Sequence, residues 1–318
     1  MVTPRLFAGF MFWILCVQLS AGAGHLGPVV SIVHVEGQVY AVSQGGVFLH
    51  AGQNTERVFE PGFRVFAMAS KGEGREALLL LSGGAPGESG LLASLELQTG
   101  KAEVITVSKD VVYDVAVSPN GKEAALACAD NRVLTVNLND FPSGSPVVRH
   151  KHTSDARVVE YSPDGSRLVS GGLDGVLLIS STTGDRKVRT LQEHTSGIES
   201  LAFSPDGKQF ASGARDAKVR VHDLDGGFVR TYRGVGMEAQ ASGLEGAPRV
   251  QALAWGTGRD GLIAGTSKGR FYRLSESNDV WMPTGEACEW PIFSLALKKG
   301  KLLIGGDSII RTRRSGTK

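Results

Sequence analysis

Apolar and polar residues alternate along most of this chain in short runs, and each run stops at a turn. Val111 to Val117, Arg157 to Tyr161 and Ile198 to Phe203 are such runs, the pattern of strands with one buried face. Each leads into Ser118-Pro119-Asn120-Gly121, Ser162-Pro163-Asp164-Gly165 or Ser204-Pro205-Asp206-Gly207. Proline presets φ at the second turn position, and glycine tolerates the backbone that follows. A second strand follows each turn (Glu123 to Ala127, Arg167 to Ser170, Gln209 to Ser212), then a short turn holding Asp130, Asp174 or Asp216. A third strand (Val133 to Leu138, Val176 to Ser180, Lys218 to Asp223) and a fourth (Val147 to Arg149, Lys187 to Leu191, Phe228 to Tyr232) complete the unit.

Four short antiparallel strands repeat about every 42 residues. One such sheet cannot bury both its faces, and radial stacking on like neighbours solves this. The pattern predicts an all-β, seven-bladed β-propeller. Its blades span about 29–60, 63–107, 110–149, 153–191, 195–233, 247–284 and 289–314 of a single domain, 24–318. The last blade shows only three strands up to Arg314, so a three-stranded last blade with a weakened seam is expected, unless the leader is retained and fills the gap.

The first residues read differently. Arg5 is the only charge before Glu36, Leu6 to Val17 is unbroken apolar sequence, and Ala21-Gly22-Ala23 follows. This is the pattern of a secretory signal peptide over 1–23, with an uncleaved signal anchor as the alternative. It is too short for a comfortable membrane span, and no later segment could span one. The expected location is exported, periplasmic or extracellular.

Composition narrows function by exclusion. Glycine supplies 42 of 318 residues, against a usual share of about 7%, which suits strands and turns. A net charge of +2 argues against a dedicated nucleic-acid binder, and the basic cluster after Lys298 reads as a solvated tail. Cys16, Cys128 and Cys288 form no C-x-x-C or C-x-x-C-H motif, so zinc and covalent haem are excluded. No cofactor is expected.

Finer repeats carry a resemblance. His152 and His194, Ser170 and Ser212, and Asp174 and Asp216 are each separated by 42 residues. His222-Asp223 stands where a Trp-Asp would end a third strand, and Gly24-His25 matches a blade start. In these residues the chain resembles WD40-repeat propellers. Ser82 to Gly90, Leu97-Gln98-Thr99-Gly100-Lys101 and Lys109 to Ala116 are similar to exported bacterial WD40 proteins, some of which are joined to cytochrome modules. The glycine-rich stretch also resembles the propeller of the exchange factor that initiates COPII coats.

The resemblance implies a structural hydrogen-bond network of His194, Ser212, Asp216 and His222, and a second of His152, Ser170 and Asp174. The second ends at Ser180, too short to replace an indole, so that blade is expected to be looser. It also implies a non-catalytic scaffold, a monomeric propeller that binds a protein partner on its loop face. Lys109, Asp110, Asp155, Arg215, Glu289 and Trp290 are the candidate contacts. The alternatives are a redox accessory or channel-sited enzyme, and the trafficking exchange factor. Ser82 to Gly90 reads as a long turn between strands, and Asp223 to Gly227 as a β-turn in place of a calcium loop.

Overall fold

The computed structural model describes residues 15–18, 29–35, 37–43, 46–51, 54–72, 77–184, 187–232, 235, 246, 248–257, 261–274, 281–283, 291–298, 301–306 and 309–314. Every regular element among them is a β-strand. The first, β1 (Leu15–Gln18), stands apart from its sequence neighbours.

Six four-stranded antiparallel sheets follow, each built from consecutive strands. The first holds β2 (Ser31–Val35), β3 (Gln38–Ser43), β4 (Gly46–Ala51) and β5 (Asn54–Phe59). The second holds β6 (Val65–Lys71), β7 (Leu78–Ala85), β8 (Ser89–Glu96) and β9 (Ala102–Ser108). The third holds β10 (Val112–Val117), β11 (Glu123–Cys128), β12 (Arg132–Asn137) and β13 (Val147–Lys151). The fourth holds β14 (Ala156–Tyr161), β15 (Arg167–Gly172), β16 (Val176–Ser181) and β17 (Val188–Gln192). The fifth holds β18 (Ile198–Phe203), β19 (Gln209–Ala214), β20 (Val219–Asp223) and β21 (Phe228–Tyr232). The sixth holds β22 (Val250–Trp255), β23 (Leu262–Thr266), β24 (Phe271–Leu274) and β25 (Trp281–Pro283).

A further four-stranded sheet joins the two ends of the chain. Its order is β1-β28-β27-β26, with β26 (Ser294–Lys298), β27 (Lys301–Gly305) and β28 (Ile309–Arg314). The expected three-stranded last blade is replaced by the stated alternative, a leader segment that fills the gap. Leu15 pairs with Thr312 and Gln18 with Ile309, so residues read as leader supply the outer strand.

The first strands pack side by side in a circle: β2 on β6, then β10, β14, β18, β22 and β26, which returns to β2. This is a β-propeller with the first strands around a central channel. Its core lies between the sheets. Ala124 to Cys128 of β11 are all 0% exposed. Ala124, Leu126 and Cys128 pack toward Leu80 and Leu92 of the preceding sheet. Ala125 and Ala127 pack toward Val159 and Leu168 of the following one. Successive side chains of a strand face opposite ways, so each middle strand serves two cores and must be apolar throughout. Burying one leucine-sized side chain contributes roughly 1.5–3 kcal/mol.

The Ser-Pro-Asx-Gly turns form as read. Gly121, Gly165 and Gly207 each donate N–H to the carbonyl of the turn serine at 2.8 Å. The Ser118 hydroxyl donates to Asn120 Oδ1 at 2.8 Å, and Ser204 to Asp206 Oδ1 at 2.7 Å.

Ser82 to Gly90 is not the long turn expected. β7 and β8 pair along their whole length, to Ala85↔Ser89, leaving only a tip of Pro86-Gly87-Glu88. Here glycine makes close approach possible: a Cβ at Gly84 would collide with the Ser89 carbonyl, and one at Gly90 with the Asp110 carbonyl. The Asp223 to Gly227 segment is a β-turn as read, closed by Gly226 N–H donating to the Asp223 carbonyl at 3.0 Å.

Candidate functional site: the collar of the central channel

The polar networks organise the loop face, the end bearing the fourth-to-first connections and the second-to-third turns. In the fourth sheet, His152 Nδ1 lies 3.3 Å from both Asp174 oxygens, and its Nε2 lies 2.9 Å from Ser170 Oγ. The expected looseness is not found at the Ser180 end. His150, from β13 of the preceding sheet, lies 2.7 Å from Ser170 Oγ and 2.8 Å from Ser180 Oγ. One tautomer set satisfies every member. Each histidine Nδ1–H donates toward Asp174 or Ser170, and each Nε2 accepts a serine hydroxyl. Burial first, and then the nearby His152, depress the His150 imidazole to about 3, so it stays neutral in this chain.

The fifth sheet has no such bridge. His194 Nδ1 lies 3.1 Å from Asp216 Oδ1, and Nε2 lies 2.9 Å from Ser212 Oγ. Burial alone would raise the Asp216 carboxyl, but the hydrogen bond from His194 and its charge outweigh this and hold it below its usual value. The expected fourth member, His222, is outside the network. It is 0% exposed, and neither ring nitrogen has a hydrogen-bond partner. Its ring stacks on Phe210 at 5.3 Å, using the tryptophan place as an aromatic slot only.

The candidate contact residues separate. Lys109 is exposed on the loop face. Asp110 is a tie: its Oδ1 accepts from Gly87 N at the tip of the β7–β8 hairpin at 2.9 Å. Arg215 donates Nε–H to Glu199 Oε1 at 2.7 Å. Asp155 is half-buried, and its backbone carbonyl accepts from Leu173 N. Glu289 and Trp290 lie outside the described residues.

Sequence reading missed the feature that shapes the channel. In five successive sheets the pairing of first and second strands slips at one residue, between Val65 and Ala67, Val112 and Asp114, Ala156 and Val158, Ile198 and Ser200, and Val250 and Ala252. The displaced residues are Phe66, Tyr113, Arg157, Glu199 and Gln251. A β-bulge re-aims its side chain, and all five line one cavity of about 490 Å³. Each stands near the start of its unit's first strand, so a break in alternation at the same place in five units was the available signal.

Their chemistry differs along the collar. Phe66 meets Tyr113 edge-on at 5.6 Å, the Arg64 guanidinium lies 4.8 Å above Phe66, and that of Arg157 lies 3.8 Å above Tyr113. The side chain of Glu199 is 6% exposed. Its Oε2 and the Oε1 of Gln251 are buried without a hydrogen-bond partner.

Four polar residues at equivalent first-strand positions, two of them just after a bulge, stitch the ring. Ser31 Oγ accepts from Met68 N at 3.1 Å, Asp114 Oδ2 from Val159 N at 2.9 Å, and Ser294 Oγ from Ile32 N at 3.2 Å. Ser200 Oγ donates to the Val250 carbonyl at 3.3 Å. The corresponding residues of the second, fourth and sixth sheets are Ala67, Val158 and Ala252, so polar and apolar residues alternate round the channel. Burial raises the Asp114 carboxyl to about 7 against the pull of its backbone donors. Burial, then the Asp114 charge, raises Glu160 to about 8.

Among the described residues no group of three or more His, Cys, Asp or Glu is placed to hold a metal ion. No described helix is long and apolar enough to cross a membrane.

The WD domain, G-beta repeat family matches residues 144–179 and 185–223, which run from β13 into β16 and from β17 to β20. Protein groucho of Drosophila melanogaster is 35% identical over 79 residues, 24% of this chain and 10% of groucho. The chain thus spans about a tenth of that relative's length. Among solved structures, a chain of "Crystal Structure of Mitotic Checkpoint Complex" superposes with a TM-score of 0.76 at 13% identity, covering 100% of this chain and 97% of that one. That likeness concerns the fold alone.

Proposed function

For a chain that carries WD40 repeats in an all-β propeller, we propose a non-catalytic scaffold that binds a protein partner on its loop face. The observation that carries this reading is the collar. Five bulges turn aromatic, cationic and acceptor side chains into one open cavity, and arginine and aromatic residues are enriched where binding energy concentrates. Lys109 and Lys268, exposed at two loop-face turns, belong to the rim. The test is affinity capture with the tagged full chain. Lys109→Glu with Lys268→Glu should lose the captured partner, whereas Lys122→Glu with Lys208→Glu, beside the turns of the opposite end, should retain it. Equal loss or equal retention by both pairs sinks the reading.

Export is part of the proposal, supported by the composition of residues 1–23. Mass spectrometry of the N-terminus of the protein recovered outside the cytoplasm tests it. Absence of the chain from every exported fraction refutes it. A second reading, acid–base chemistry in the channel, is favoured by one observation: Asp114 and Glu160 have carboxyls raised to about 7 and about 8, where a proton is readily exchanged. A hydrolytic activity abolished by Asp114→Asn would support it.

A further inference from the structure

We propose that, once export removes residues 1–23, the outer edge of β28 receives an apolar strand from the protein partner, added antiparallel in the place that β1 holds. This rests on the export reading. One segment cannot serve both uses. Residues 1–23 read as a leader, and β1 (Leu15–Gln18) lies inside them. A chain cut after Ala23 keeps β26, β27 and β28 but loses the fourth strand of their sheet.

The ring stays closed without β1. Val29 N–H donates to the Gly306 carbonyl at 3.1 Å, and Ile32 N–H to Ser294 Oγ at 3.2 Å. Leu303 of β27 packs with Val29 and Ile32 of the first sheet, while Leu302 and Ile304 pack with Ile263 and Phe271 of the sixth. β27 is thus held from both sides, and in the sheet β1 neighbours β28 alone. What cleavage leaves is one vacant edge, a row of unpaired N–H and C=O groups. Such an edge is the template for strand addition, in which main-chain hydrogen bonds supply the affinity. In the other six sheets the third strand is paired on both sides by strands of consecutive sequence.

The pairing of β1 with β28 gives the chemistry of the occupant. Leu15 stands opposite Thr312, Cys16 opposite Arg311, Val17 opposite Ile310 and Gln18 opposite Ile309. The edge therefore accepts an uncharged, mainly apolar strand in a fixed antiparallel register. A second copy's β28 is a poor occupant. It carries Arg311, Arg313 and Arg314, so pairing two such strands brings arginine near arginine, and like charges across a strand pair are destabilising. A partner's apolar strand meets no such repulsion.

The test uses the full chain with a protease site introduced between Gln18 and Val29, and a fluorescein-labelled peptide of residues 12–19, read by anisotropy. The chain cut at that site should bind the peptide saturably by exchange, and the uncut chain should not. Cys16→Pro with Val17→Pro in the peptide should weaken binding at least roughly tenfold, because one of two adjacent N–H groups must face β28. The protein recovered outside the cytoplasm should begin at Gly24, bind the peptide without being cut, and release its captured partner to excess peptide. An exported chain that retains Leu15 overturns the proposal through its premise. With export intact, no binding to the cut chain, equal binding of the proline peptide, or a partner retained against excess peptide overturns it. Light scattering that shows the cut chains pairing with one another makes a second copy the occupant and overturns it as well. The loop-face scaffold still stands if Lys109→Glu with Lys268→Glu loses the captured partner.

Discussion

Two histidines show how the same vacancy is filled in two ways. Where a third-strand tryptophan is absent, the fourth sheet borrows His150 from its neighbour, and the fifth inserts His222 with unpaired nitrogens. His150→Ala should therefore destabilise the chain by about 2 kcal/mol, two neutral hydrogen bonds and some packing. His222→Phe should stabilise it by about 1 kcal/mol, since the ring stack on Phe210 survives and the unpaired nitrogens vanish. Denaturant titration measures both, and the opposite ordering would contradict the hydrogen-bond assignment. The 42-residue lockstep made His152, Ser170, Asp174, His194, Ser212 and Asp216 legible in sequence. His150 was not, because its role depends on a contact between sheets. Asp114 and Glu160 set a pH dependence. Their carboxyls are raised in the folded chain, so the stability they favour is complete below the ordinary carboxylate range and is lost as pH rises through about 7 to 8. Glu160→Gln should flatten the fall in melting temperature from the ordinary carboxylate range up to about pH 8. Asp114→Ser, which restores the serine found at 31, 200 and 294, should do the same while keeping the tie to Val159.

At the scale of elements, turns were easy to read and bulges were not. A Ser-Pro-Asx-Gly turn is specified by its own residues, and Gly121, Gly165 and Gly207 hold φ of 67°, 71° and 68°, as the turn requires. A bulge is specified by the partner strand, so Phe66, Tyr113, Arg157, Glu199 and Gln251 looked like interruptions of an alternating pattern. The Ser82 to Gly90 stretch misled for the opposite reason. Glycines usually signal turns, but here they let two strands run close beside neighbouring backbone. Gly84→Ala should cost at least about 2 kcal/mol, because φ of 126° and the Ser89 carbonyl both oppose a side chain. A melting temperature within error of the parent would show that this hairpin can open. The outer strands carry their own protection. β5, β13, β17 and β21 are short and each includes an arginine, Arg57, Arg149, Arg189 and Arg230, which discourages edge-to-edge association despite exposed Val147, Val148 and Phe228.

For the whole molecule, the repeat length announced the propeller, while the composition of residues 1–23 announced an address label. Hydropathy has no means of telling an apolar export signal from an apolar strand, and the pairing of β1 with β28 shows that this segment can serve as the latter. A chain shortened to begin at Gly24 should therefore melt several degrees lower and associate more readily, since β28 would present an unpaired edge. Calorimetry and light scattering on the two lengths decide this, and identical behaviour would remove β1 from the ring. The pairing also carries a temporal consequence. Leu15 leaves the ribosome about 300 residues before its partner Thr312, so the strand that finishes the ring must wait, apolar and unpaired, while the stretch between them is made. At ordinary elongation rates that interval is roughly 15–60 s. During it, β1 is an apolar segment without its strand partner, so the slower the synthesis, the longer that surface stays uncovered.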